Sequence, residues 1–113
     1  PGGTHFFEQL DLGPEQLDAI REKVVPFHDV ATKKRKEIER KRDGLLLRMR
    51  AENPDREAVA EAIAEISKAQ AEVQRMVVAH MLEIKAAMDR DQQKHFFDLV
   101  EATMAQQETV QCP

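Results

Sequence analysis

The chain has 113 residues, enough for one domain; 34% are charged and 4% aromatic, with no Trp or Tyr. Five Pro and four Gly are too few for a turn-rich β-sandwich, and a formal net charge of −4 argues against nucleic acid as a partner. The single cysteine, Cys112, excludes an intrachain disulfide framework and a Cys-type zinc site, and no apolar run is long enough to span a bilayer.

Along the chain, residues 1–12 form an N-terminal segment with a short helical stretch expected at 4–10. A long helix opens at Gly13-Pro14-Glu15-Gln16, where Pro occupies the first helical position and Gln16 can turn back to an unpaired amide. It is expected to run from Pro14 to about Ala51. Pro26 removes one backbone donor and should kink it near Glu22 to Val25, and Gly44 weakens it slightly. A second long helix is expected from Pro54 to about Met88, with Asn53 as N-cap and Pro54 in the first position. Asp89-Arg90-Asp91-Gln92 reads as a capping box that opens a last helix reaching about Ala105, followed by a loose tail over 106–113.

Both long helices carry a seam. Val24, His28, Ala31, Arg35, Ile38, Arg42, Leu45 and Met49 alternate by four and three, as do Val59, Ile63, Ile66, Gln70, Val73, Val77, His80 and Ile84. A turn near Pro54 pairs Met49 with Val59, Leu45 with Ile63, and at the far end His28 with His80. The fold class is therefore all-α: one domain over 1–113, built as a long antiparallel helical hairpin with short terminal helices. Seams this thin bury little, so dimerisation is expected to help.

Two imidazoles facing each other in an apolar layer need a shared proton, a water or a metal ion. His80-Met81-Leu82-Glu83 and His5-Phe6-Phe7-Glu8 each place a carboxylate on the histidine's helix face. His5, His28, His80 and Glu83 thus form a candidate set for a divalent transition metal, Zn, Ni, Co or Cu. The alternative is that His28 and His80 are hydrogen-bonded core residues. His95, on the last helix, reads as surface. The methionines read as core fillers, with Met81 and Met88 near the His80 layer. The basic run Lys33 to Arg42, with Lys33, Lys34, Arg35 and Arg42 as its candidate contacts, is either a solvated face offset by acidic residues of 52–66 or a patch for an acidic partner. A Gly-rich phosphate loop and a nucleophile with its base are both missing from the sequence, so no enzyme is expected.

The helix starts Leu12-Gly13-Pro14-Glu15-Gln16 and Met88-Asp89-Arg90-Asp91-Gln92 resemble the paired Leu-Thr-x-x-Gln starts of the periplasmic heavy-metal sensor and resistance family, which is related to the Spy, CpxP and ZraP stress proteins. Gly13 and Asp89 stand where Thr is usual; both glutamines are kept. Arg35-Lys36-Glu37-Ile38-Glu39-Arg40 and Val73 through His80 look most like the CnrX-like branch, and the likeness covers about residues 5–104.

The resemblance implies that His80 takes the place of the histidine in that branch's His-x-x-x-Met motif, with Ile84 where the Met ligand stands. His28 falls near the family's glutamate ligand, and His5 looks like one of two N-terminal histidines whose mate is absent here. It further implies a hook-shaped, interlocked homodimer in the periplasm that senses or resists a heavy metal and is read by a membrane-bound signalling partner. Because the chain opens at Pro1 without Met, it reads as a processed or truncated piece, which leaves open whether a signal, a membrane anchor or a further N-terminal ligand preceded it. The alternative is a Spy-like chaperone that holds unfolded clients on the basic face at Lys33, Lys34, Arg35 and Arg42.

Overall fold

The computed structural model describes residues 7–111. They form three helices, α1 (Pro14–Met49), α2 (Arg56–Lys85) and α3 (Arg90–Gln111), and no strand occurs among the described residues. The all-α expectation holds.

Local side chains start each helix. At α1 the Gly13 amide donates to Oε1 of Gln16 at 2.9 Å. At α3 the capping box is complete: the Gln92 amide donates to Oδ1 of Asp89 at 2.9 Å and the Asp89 amide to Oε1 of Gln92 at 3.0 Å. The start of α2 corrects the expectation. Asp55, not Asn53, is the cap, because its Oδ1 takes the amides of Glu57 (3.0 Å) and Ala58 (3.3 Å). α1 stops two residues before Ala51. α2 gives way after Lys85 to tighter turns, with Ala87 N–H bonding Ile84 C=O at 3.0 Å and Met88 N–H bonding Lys85 C=O at 3.1 Å. α3 runs on to Gln111, past the expected end near Ala105.

The chain divides into two compact units, one joining the residues up to Val24 with those from Leu82 onward, the other spanning Val25–Met81. One of the division points, between Val24 and Val25, falls where Pro26 was expected to act. Proline has no amide hydrogen, so the Glu22 carbonyl lacks its usual ladder partner there.

In the first unit the core is Phe7, Leu10, Ile20, Ile84, Met88 and Phe96. The Phe7 and Phe96 rings lie nearly parallel with centroids 6.3 Å apart, and Phe97 meets Phe96 edge-on at 5.0 Å. Beside them the amides of Gln16 and Gln92 bond to each other.

In the second unit, stretches of α1 and α2 run in opposite senses. Phe27 meets His80, Lys34 meets Glu72 and Lys41 meets Glu65. The buried residues here are Ala31, Ile38, Ile66 and Ala69. The expected seam is therefore half right. Ala31 and Ile38 on α1 and Ile66 on α2 lie in it, but His28, Arg35, Arg42 and Met49 are exposed, as are Ile63 and Gln70. Phe27, Lys34 and Lys41 take the neighbouring places on α1, and Ala69 does so on α2.

The physical reason for the shift is visible in the contacts. Ala31, Ile38 and Leu45 satisfy either of two rows one residue apart. The observed row buries part of the Phe27 ring and aligns two lysines with two glutamates, whereas the other would have set Arg35 and Arg42 against apolar side chains.

Candidate metal centre

His80 sits on α2, half-buried, with its imidazole flat on the Phe27 ring: the centroids are 3.9 Å apart and the planes differ by 3°. Phe27 reaches it because it precedes Ala31 by four residues and so shares the inward face of α1. The stack fixes the plane of the imidazole.

His28 does not face His80; this part of the expected centre is corrected. Its side chain is exposed, and its carbonyl accepts the Thr32 hydroxyl at 2.8 Å. It remains the residue next to Phe27, turned from it by about 100° around the helix. Glu83 follows His80 by three residues and is exposed. His5 lies outside the described residues. His95 is exposed, as expected, and borders a cleft of about 260 Å³ with Asp11, Asp89, Asp91 and Gln92. Met81 is half-buried and Met88 buried. Among the described residues, no group of three or more His, Cys, Asp or Glu side chains converges to hold a metal ion.

The basic run is also redistributed. Lys34 is not part of an open patch: its Nζ donates to Oε2 of Glu72 at 3.0 Å and lies 3.5 Å from Glu37. The hydrogen bond to Glu72, followed by the charge of Glu37, raises the Lys34 pKa. The same bond, followed by the Lys34 charge, lowers that of Glu72. Lys41 lies 3.9 Å from Glu65. Lys41, Glu65 and Glu72, together with Glu37, Lys68 and Ala69, line a cleft of about 190 Å³ in which carboxylates and ammonium groups alternate. Lys33, Arg35 and Arg42 are exposed.

Phe27 was missed by the sequence reading. The available signal was an aromatic residue four before a seam alanine, overshadowed by the histidine beside it. The mutual bonding of Gln16 and Gln92 was missed too, although each glutamine had been singled out for its own helix start.

A family model described as heavy-metal resistance matches residues 2–94. No curated protein and no solved structure matches the chain.

Proposed function

The chain belongs to the heavy-metal resistance family, and from that premise we propose that it binds a divalent transition-metal ion in the periplasm, as part of metal sensing or resistance. The observation that directs this reading to particular residues is the His80 ring held against Phe27. An imidazole whose plane is fixed loses less freedom when a nitrogen in that plane takes a metal, and one nitrogen is enough.

His80 is the proposed nitrogen ligand, and His28, which faces away from it, serves as the control in the test below. Imidazole donors suit Zn²⁺, Ni²⁺, Co²⁺ and Cu²⁺. Water completes the shell. In this reading the bound ion biases the conformation that a membrane-bound signalling partner recognises.

Calorimetric titration with Zn²⁺, Ni²⁺ and Co²⁺ tests the reading on the native chain and on His80→Ala, His28→Ala and the double variant. Native binding with at least about a tenfold loss in His80→Ala is expected. Equal binding by the native chain and the double variant rejects the site. Affinity should also fall on acidification, because protons compete for the ligand nitrogens.

A second reading is favoured by one observation: Arg35, Arg42 and Met49, seven residues apart on one row of α1, are all exposed. Arg35 and Arg42 offer cations in line with an apolar side chain, the chemistry that would hold an unfolded acidic client. Suppression of client aggregation without metal, lost in Arg35→Ser with Arg42→Ser, would support the chaperone over the metal reading.

A further inference from the structure

The end of α1 and the residue after it read Arg40-Lys41-Arg42-Asp43-Gly44-Leu45-Leu46-Leu47-Arg48-Met49-Arg50. Consecutive helical residues point about 100° apart, so three successive leucines span more than half the circumference and cannot all face one neighbour. Leu45 is half-buried on the seam side, while Leu46 is 48% and Leu47 73% exposed. A Cβ built at Gly44 meets no atom within 4 Å, so among the described residues nothing covers the helix beside them. The Arg50 amide still donates to the Leu46 carbonyl at 3.0 Å. Arg50 therefore stays on the helical turn, next to both outer leucines. An exposed apolar turn in so charged a chain is a feature to be explained.

The cations around this turn are uncommitted. Over residues 40–50, five are Lys or Arg and only Asp43 is acidic. Lys41 pairs with Glu65, but among the described residues Arg40, Arg42, Arg48 and Arg50 have no carboxylate within 4.0 Å. Glu52 and Asp55, which follow, do not pair with them either, and Asp55 is occupied by the first amides of α2. A partner helix would read apolar anchors along one stripe, at spacings of three, four and seven. One turn back from Leu46 and Leu47 stand Arg42, Asp43 and Gly44, so the stripe does not extend. A short, broad apolar patch rimmed by arginines has the chemistry of a lipid interface. Leucines suit the acyl boundary, and guanidinium groups on long stems suit headgroup phosphates.

We propose that this end of α1 docks on an anionic lipid surface, with Leu46 and Leu47 entering the boundary between headgroups and acyl chains. Arg40, Arg42 and Arg50 lie against the phosphates. Asp43 shares this face and opposes the contact, but three cations outnumber it. A free phosphate would use the arginines alone; the leucines commit the patch to a lipid surface. No helix among the described residues is long and apolar enough to cross a membrane, so the contact is peripheral and reversible. The inference rests on neither the metal reading nor the chaperone reading, because it needs neither His80 nor Arg35.

Flotation of the full chain with lipid vesicles tests it. In low salt the native chain should float with vesicles of phosphatidylglycerol and phosphatidylcholine in equal parts, and stay behind with phosphatidylcholine alone. Leu46→Ser with Leu47→Ser, and separately Arg40→Gln with Arg50→Gln, should each lower the partition coefficient by about tenfold or more. Asp43→Asn should raise it. Val25→Ser, at a 62% exposed apolar residue about six turns away along α1, should leave it within about twofold. Circular dichroism confirms that each variant keeps its helices. The chain has no Trp, so Leu47→Trp, which keeps the patch apolar, adds a single reporter. Its emission should shift to the blue on the anionic vesicles and stay unmoved by inorganic phosphate. A native chain that never floats, or a serine pair that floats like the native chain, would overturn the proposal. So would a reporter that stays unshifted on bound vesicles. A blue shift without vesicles, produced by raising the protein concentration or by adding an acidic unfolded client, would give the patch to a protein partner instead.

Discussion

Gln16 and Gln92 bond to each other through both ends of their amides: Nε2 of Gln16 donates to Oε1 of Gln92 at 2.7 Å, and Nε2 of Gln92 donates to Oε1 of Gln16 at 3.1 Å. Each amide is then saturated. Gln16 also donates to the Ala87 carbonyl and accepts from the Gly13 amide, while Gln92 donates to the Asp11 carbonyl and accepts from the Asp89 amide. Two helix starts and two turns thus share one knot of hydrogen bonds. Neither side chain could make all of its bonds with the other removed.

Gln92→Ala should lower stability by about 1–3 kcal/mol, because it strands the Asp89 amide and the Asp11 carbonyl together with the Gln16 amide. The effect should not add to that of Gln16→Ala. A double-mutant cycle by urea unfolding should return a coupling of about 0.5 kcal/mol or more. Gln92→Glu separates capping from pairing. Its carboxylate still accepts the Asp89 amide but donates nothing, so this variant should be less stable than native at neutral pH and regain part of the loss when the carboxyl is protonated in acid. Additive single effects would mean that the two glutamines serve their own helices only.

What was legible in the sequence depended on range. The Asp89–Gln92 box was readable because it spans three residues and needs no tertiary partner. The start of α2 was misread by two residues because Asn53-Pro54 carries the usual start signal, yet the carboxylate of Asp55 takes the helix amides. α3 runs on to Gln111 through a stretch rich in Gln, with Ala105, Glu108, Thr109 and Val110, that contains no Gly or Pro. The all-α class and the long helices followed from periodicity, but the seam was ambiguous by one residue. Ala31, Ile38 and Leu45 fit both rows, and the deciding groups, Lys34 with Glu72 and Lys41 with Glu65, identify themselves only once two distant segments are paired. That single-residue shift is what replaced His28 by Phe27 opposite His80.

Phe27 should matter to both stability and metal binding, and the two roles can be separated. Phe27→Leu keeps apolar volume but loses the ring stack, worth about 0.5–1.5 kcal/mol. If the stack orients His80 for a metal, Phe27→Leu should weaken Co²⁺ affinity by about tenfold while melting only a few degrees lower. Phe27→Ala should melt lower still. Unchanged Co²⁺ affinity in a folded Phe27→Leu variant would remove the stack from the metal site and leave it a packing contact.

The Lys34–Glu72 pair predicts a window of pH. The carboxyl of Glu72 is lowered below its ordinary 4.5 by the hydrogen bond from Lys34, so its contribution is present above that value and is lost as pH falls through the lower folded pKa. The Lys34 ammonium is raised above its ordinary 10.5 by the same bond, so its contribution is present below that value and is lost as pH rises through the higher folded pKa. Glu72→Gln should therefore be less stable than native near neutrality and equal to it in strong acid. Both groups are partly exposed, so the difference should be small and should shrink in about 1 M salt. A difference that persists in acid would mean that Glu72 acts through packing and not through its charge.

Gly44 supplies the simplest stabilising change. It lies inside α1, and a Cβ built there meets no atom within 4 Å. Its φ is not positive, so alanine would adopt the same backbone without strain. Glycine costs a helix interior because the unfolded chain has more conformations to lose, and alanine removes part of that loss. Gly44→Ala should therefore raise stability by about 0.5–1 kcal/mol, seen as a higher urea midpoint with an unchanged slope. The metal affinity of a centre built on His80 should not move, because Gly44 lies more than four turns along α1 from Phe27, the residue that touches that ring. A loss of stability instead would mean that something covers this part of α1 closely enough to exclude a methyl group.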